Sequence, residues 1–113
     1  MLKKSTVIRD HVSTFSHPIV LKAGDIVSVS HSDIKYPCWV WVINALQING
    51  WVPQQILHFI FPDKAICAED YTSHELTVSS GECLYLERLL NGWYWAHKKS
   101  GETGWIPKEN VIF

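Results

Sequence analysis

The chain has 113 residues, 47% of them hydrophobic and 19% charged, with a formal net charge of -1. Such a chain is too apolar and too weakly charged to be disordered, and it lacks the basic surplus that phosphate backbones require, which excludes nucleic acid as a partner. No run approaches the roughly 20 apolar residues of a spanning helix, and the basic start at Lys3 and Lys4 has no apolar stretch behind it, so neither a membrane nor an export signal is expected.

Along the chain, the first strand-like segment is Ile26-Val27-Ser28-Val29-Ser30, entered from the turn at Gly24-Asp25. Trp39 to Ile43 is the next, rich in aromatic and β-branched residues, and Asn44 to Asn49 turns the chain back. The strand containing Trp51 ends at Pro53, because proline cannot donate to a ladder. Residues 57–64, Leu-His-Phe-Ile-Phe-Pro-Asp-Lys, are apolar and aromatic, unlike a flexible Gly/Ser linker. Leaving Phe59, Ile60 and Phe61 in water forgoes about 1.5–3 kcal/mol for each large side chain, so this joint is expected to pack two halves together. Beyond it, Cys83 to Glu87 follows the turn at Gly81-Glu82, Trp93 to His97 forms another strand, and Lys98 to Glu102 is a hairpin turn with Gly101 at a positive φ. Pro107 ends the strand of Trp105. A single 3₁₀ turn is expected after each of Pro53 and Pro107, and no stretch shows helical periodicity.

These elements form an internal repeat. Gly50-Trp51-Val52-Pro53 recurs as Gly104-Trp105-Ile106-Pro107, and Trp39-Val40-Trp41-Val42 as Trp93-Tyr94-Trp95-Ala96, both at an offset of 54. Lys22-Ala23-Gly24-Asp25 matches Ser79-Ser80-Gly81-Glu82 at 57, and Arg9-Asp10-His11 matches Glu69-Asp70-Tyr71 at 60. Matched blocks in one order, with offsets that change only between blocks, describe two copies of one fold. The expected architecture is all-β: two tandem small barrels or sandwiches over residues 1–57 and 65–113, joined by residues 58–64 and packed on each other.

The chain's six tryptophans thus become three per copy. In a strand, residues two apart share a face, so Trp93 and Trp95 point one way. If the hairpin turns about Ser100, Trp95 lies opposite Trp105, and Trp41 likewise lies opposite Trp51. Those four are read as structural pairs, and Trp93 and Trp39 as exposed recognition residues. Residues 1–60 carry a net +2 and residues 61–113 a net -3. The six histidines show no recognised zinc spacing, and the three cysteines, Cys38, Cys67 and Cys83, form no C-x-x-C. They read as reduced thiols of a cytoplasmic protein. Nothing marks an activated nucleophile, so no cofactor, no metal and no enzymatic activity are expected.

The second copy resembles the Src homology 3 (SH3) domain, of the variant kind found in bacterial proteins. The likeness lies in Glu69-Asp70-Tyr71, Glu75-Leu76-Thr77-Val78, Gly81-Glu82, Gly92-Trp93-Tyr94-Trp95-Ala96 and Gly104-Trp105-Ile106-Pro107-Lys108-Glu109-Asn110-Val111. These follow that family's A-L-Y-D-Y, E-L-x-F, Gly-acid, W-W and G-x-x-P-x-N-Y-V landmarks in order, and the first copy is a more divergent version. The resemblance implies that each copy is a small five-stranded SH3-like barrel, with a groove that takes a peptide or a segment of a partner protein, proline-containing or basic. It assigns Tyr71, Trp93, Trp105 and Pro107 to the apolar contact, Glu69, Asp70 and Glu75 to a basic residue of the ligand, and Trp39, Trp51 and Pro53 to the corresponding face of the first copy. Glu69 and Asn110 stand where the family has tyrosines, and Arg9, His11 and Ile56 stand at the equivalent places of the first copy, so binding is expected chiefly on the second. The rival expectation is a structural subunit whose aromatic faces serve inter-domain packing or self-association.

Overall fold

The computed structural model describes residues 2–14 and 17–113. In chain order the strands are β1 (Lys3–Val7), β2 (Val20–Leu21), β3 (Ile26–Ser32), β4 (Trp39–Ile43), β5 (Asn49–Pro53), β6 (Leu57–Phe61), β7 (Lys64–Cys67), β8 (Tyr71–Thr72), β9 (Cys83–Leu90), β10 (Trp93–Lys98), β11 (Thr103–Pro107) and β12 (Val111–Ile112). One 3₁₀ turn follows each expected proline, at Gln54–Ile56 and at Lys108–Asn110. The chain is all-β, and its long strands lie where alternation and the turn residues put them. Gly101 has φ 96°, and Gln47 (φ 64°) takes that part in the other hairpin.

Strand order departs from the order of the repeats. Two compact units form: unit 1 is Met1–Ser16 with His74–Phe113, and unit 2 is His17–Ser73. Unit 1 holds a sheet in the order β11-β10-β9-β1-β12, and unit 2 holds one in the order β5-β4-β3-β7-β6 with the small β2-β8 pair. The first strand of the chain therefore completes the sheet built by the second copy, and β7 completes the sheet of the first. Residues 58–64, expected as a linker, are instead part of the β6-β7 hairpin of unit 2. Residues 1–16 group with 74–113 rather than with 17–57. Since β6 is the edge of its sheet, Phe61 remains 63% exposed instead of buried.

The two strands that change places carry the same inward pattern. In β1, Ser5 and Val7 are buried, and in β7, Ala65 and Cys67 are. The buried Ser5 hydroxyl donates to Leu84 O at 3.1 Å, which satisfies a polar group that would otherwise be costly to bury. Backbone anchoring is matched as well. Gly81 N donates to Val7 O and Gly24 N to Cys67 O, both at 2.7 Å, while Ile8 N donates to Asn110 O and Ala68 N to Ile56 O, at 2.8 and 2.7 Å. The two acids of the Gly-acid turns close their own turns: Asp25 Oδ2 accepts from Lys22 N at 2.9 Å, and Glu82 Oε2 from Ser79 N at 2.6 Å. The core of unit 1 is Val7, Leu76, Val78, Leu84, Leu86, Ala96 and Ile106, with Tyr94 and Val111 packed against it.

Candidate functional site

In unit 1 the site lies at the open end of the β10-β11 hairpin. Ala96 and Ile106 point into the core, so alternation turns Trp93, Trp95, Trp105 and Pro107 to the other face. Trp93, at the start of β10, stands opposite Pro107, at the end of β11, and Trp95 stands opposite Trp105. The Trp95 and Trp105 rings meet edge to face, 5.2 Å apart at 70°, the geometry that aromatic quadrupoles favour. Trp105 is buried at 7% exposure, whereas Trp93 and Pro107 are half-buried.

Glu75 is laid beside this face by backbone pairing. Leu76 N donates to Trp105 O at 3.0 Å and Trp105 N to His74 O at 2.9 Å, a parallel bridge centred on Glu75 and Trp105. The chain can come so near because residue 104 is glycine: a Cβ there would lie 3.0 Å from Leu76 N. His11 meets Glu75 from the N-terminal segment. Its Nε2 donates to Glu75 Oε1 at 2.8 Å, with the side chains only 18% and 13% exposed. The same imidazole stands edge-on to Trp93, 5.7 Å away at 79°. His11 is itself held by a two-way backbone bridge to Val78, at 3.0 and 2.8 Å. Just before it, buried Asn110 donates from Nδ2 to Arg9 O and Asp10 O, both at 3.1 Å, and Asp10 Oδ1 accepts from Ser80 N at 2.6 Å. A half-exposed indole, a proline and a carboxylate oriented by an imidazole thus sit side by side.

Unit 2 repeats the frame with a different filling. Trp39 stands opposite Pro53 and Trp41 opposite Trp51, whose rings meet at 5.0 Å and 71°. Pro53, however, is fully buried. Tyr71 is 8% exposed, and its hydroxyl donates to Trp51 O at 3.0 Å. Asp70 Oδ1 accepts from Ala23 N at 2.9 Å, as Asp10 accepts from Ser80 in unit 1, and its other oxygen lies 3.9 Å from Lys22 Nζ. Glu69 is exposed, and its carbonyl accepts the Cys67 thiol proton at 3.3 Å.

The seven residues expected in the groove of the second copy are therefore divided, and the three expected on the first copy stay together. Trp93, Trp105, Pro107 and Glu75 belong to unit 1; Tyr71, Glu69, Asp70, Trp39, Trp51 and Pro53 belong to unit 2. The place expected for Tyr71 beside Trp93 is taken by His11, which its own motif match at an offset of 60 could have indicated. Asn110 was visible only as a missing tyrosine, yet it positions the His11 segment. His31, which no motif marks, stacks on Trp41 at 6.5 Å and 21° and stands edge-on to Trp51 at 5.7 Å. The two Trp-Trp pairs fall in the register that strand alternation requires.

Among the described residues, no group of three or more His, Cys, Asp or Glu is placed to hold a metal ion, and no helix is long and apolar enough to cross a membrane. Searches of curated proteins and of solved structures gave no match. Residues 6–60 match the model of the variant SH3 domain family. The match falls on the first copy, although the landmarks of the resemblance are denser in the second. Domains of this kind are typically non-enzymatic protein-interaction modules. Over residues 6–60 the chain is thus similar to a variant SH3 domain.

Proposed function

We propose that the chain is a non-enzymatic protein-binding module of two SH3-like barrels, one per unit, and that unit 1 carries the working groove. The observation behind this reading is the row Pro107, Trp93, His11 and Glu75, all part-exposed and adjacent. An indole beside a proline offers a flat apolar wall to an extended segment, and main-chain groups of such a segment stay free for hydrogen bonds. Glu75 keeps its second carboxylate oxygen for a basic side chain of the partner. Unit 2 is the poorer groove, since Pro53 is buried and the Tyr71 hydroxyl is engaged.

A peptide array followed by titration of tryptophan fluorescence tests this. Trp93→Ala should weaken the best ligand about 30-fold, the effect of a hot-spot residue near 2 kcal/mol, whereas Trp39→Ala should change it less than about threefold. Equal affinity of wild type and Trp93→Ala for every ligand found would overturn the groove. A second reading, self-association, is favoured by one feature: edge strand β6 exposes Phe59, Ile60 and Phe61, and unpaired apolar edges invite strand addition. It requires an elution volume that depends on concentration and is corrected by Phe61→Ser.

A further inference from the structure

We propose that residues 2–14 are an exchangeable arm, so that unit 1 of one chain can be completed by the arm of a second copy, which then supplies His11 to that unit's site. The inference does not depend on what the groove binds.

The connectivity leads to it. Within unit 1, β1 lies between β9 and β12 and pairs with both. The arm's other anchors there are equally non-covalent: Ser5 to Leu84, His11 to Glu75 and Val78, Asp10 to Ser80, and Asn110 to Arg9 and Asp10. Its covalent path to these partners runs through the whole of unit 2. Both sheets of unit 2 are built without a strand of the arm. The unit is closed on itself where its ends meet, Ser73 Oγ accepting from Ile19 N at 3.0 Å and Ser73 N donating to Ile19 O at 3.1 Å. The strand equivalent to β1 in unit 2 is β7, tied to β6 through Pro62 and Asp63 alone, so that strand cannot leave by itself.

Every contact the arm makes would be identical if the arm came from another copy, which is the condition for domain swapping and a known hazard of repeat proteins. Only the effective concentration of the tethered arm favours its own chain, and that is on the order of millimolar for flexible tethers. Because β1 is hydrogen-bonded on both edges, exchange requires unit 1 to open. Swapped dimers should therefore form on refolding near millimolar chain concentration, persist after dilution, and be nearly absent after refolding a thousandfold more dilute.

Thr6 and Cys83 provide the test. They are directly opposite in the β1-β9 register. Val7 N donates to Glu82 O, so the Thr6/Cys83 pair next to it is the close, non-hydrogen-bonded kind, within the Cα span a disulfide accepts. Thr6→Cys in a Cys38→Ser background is refolded dilute and concentrated, oxidised, and run without reductant, beside wild type on size exclusion. The proposal expects a cross-linked monomer from the dilute sample and a covalent dimer from the concentrated one, abolished by Cys83→Ser, with wild type giving a persistent dimer after the same concentrated refolding. Cross-linking within single chains at every concentration overturns it. So does a wild-type dimer whose Thr6→Cys counterpart still cross-links only within chains, because that dimer would use another surface.

Discussion

Unit 1 and unit 2 place the same strands, the same 3₁₀ turn and the same tryptophan pair in corresponding positions, and they differ in what surrounds the first tryptophan. Where unit 1 has His11 and Glu75 bonded to each other, the offsets of 60 and 57 give unit 2 Tyr71 and Pro18. The tyrosine hydroxyl turns instead to the main chain at Trp51. Below this level, Asn110 in unit 1 corresponds to Ile56 in unit 2, and both are buried. One frame therefore supports a polar, part-open site in one unit and an apolar, closed one in the other. The frame is set by backbone hydrogen bonds and inward-facing residues, and the outer positions are left to differ.

The Asn110/Ile56 difference can be broken directly. Ile56→Ala opens a cavity in the core of unit 2 and should cost about 2–5 kcal/mol. Asn110→Ala removes two hydrogen bonds to carbonyls of exposed residues that water can partly replace, and should cost about 1–3 kcal/mol. Urea midpoints at unchanged slope measure both. Asn110→Ala should also disturb the His11 ring resonances, which Ile56→Ala should leave in place. If the two substitutions prove equal in cost, the polar turn of unit 1 is as tightly packed as the apolar one, and the two turns do not differ.

The glycine ahead of each second-hairpin tryptophan sharpens the comparison from the opposite direction, since here the units should behave alike. A Cβ at Gly50 would lie 2.6 Å from Ile19 Cγ2, and one at Gly104 would lie 3.0 Å from Leu76 N. Ile19 is fully buried. Gly50→Ala and Gly104→Ala should each cost about 1–3 kcal/mol by overpacking. A neutral result at either glycine in thermal melts would show that the loop packed on that strand can move away.

How far the sequence leads depends on whether a feature is local. Strand positions, the Pro53 and Pro107 endings, the 3₁₀ turns and the Trp41/Trp51 and Trp95/Trp105 registers follow from alternation, proline chemistry and turn residues within a few positions. The exchange of β1 and β7 does not. Both are short strands with small or β-branched residues facing inward, Ser5 and Val7 in one and Ala65 and Cys67 in the other, and either pattern suits either slot. Nothing within those strands states which core they enter. The site inherited the same ambiguity: Trp93 and Pro107 were identifiable from their own hairpin, but their neighbour depends on the partner of β1, so His11 was hidden behind Tyr71. Residues 58–64 differ for a related reason: apolar content suggests burial, but β6 is an edge strand whose residues 58 to 61 are all exposed.

The tryptophan pairs should show how closely the shared frame is reproduced. Their ring separations, 5.0 and 5.2 Å, and angles, 71° and 70°, are nearly identical. Double-mutant cycles replacing each partner with leucine should return couplings of about 0.5–1.5 kcal/mol in both units. A coupling present in one unit and absent in the other would show that His31, which touches both rings in unit 2, carries part of what is assigned to the pair.

The smallest difference lies at the exchanged strands themselves, where unit 2 buries Cys67 and unit 1 has Val7. Burial pushes the Cys67 thiol above its usual range, and the nearby negative charges of Asp25, Glu69 and Asp70 push it the same way. The folded state thus holds the protonated thiol while the unfolded chain ionises at the ordinary value. Stability from this group is complete below the ordinary thiol range and is lost as pH rises from there towards the raised folded value. Cys67→Val should accordingly flatten the decline in stability at alkaline pH, which urea midpoints followed against pH measure. The same burial should make Cys67 the slowest of the three thiols towards an aromatic disulfide reagent at neutral pH, behind the part-exposed Cys38 and Cys83. Labelling of Cys67 as fast as Cys83 would mean that unit 2 opens around β7 without global unfolding. It would place the weaker seam of the molecule at the hairpin strand rather than at the arm.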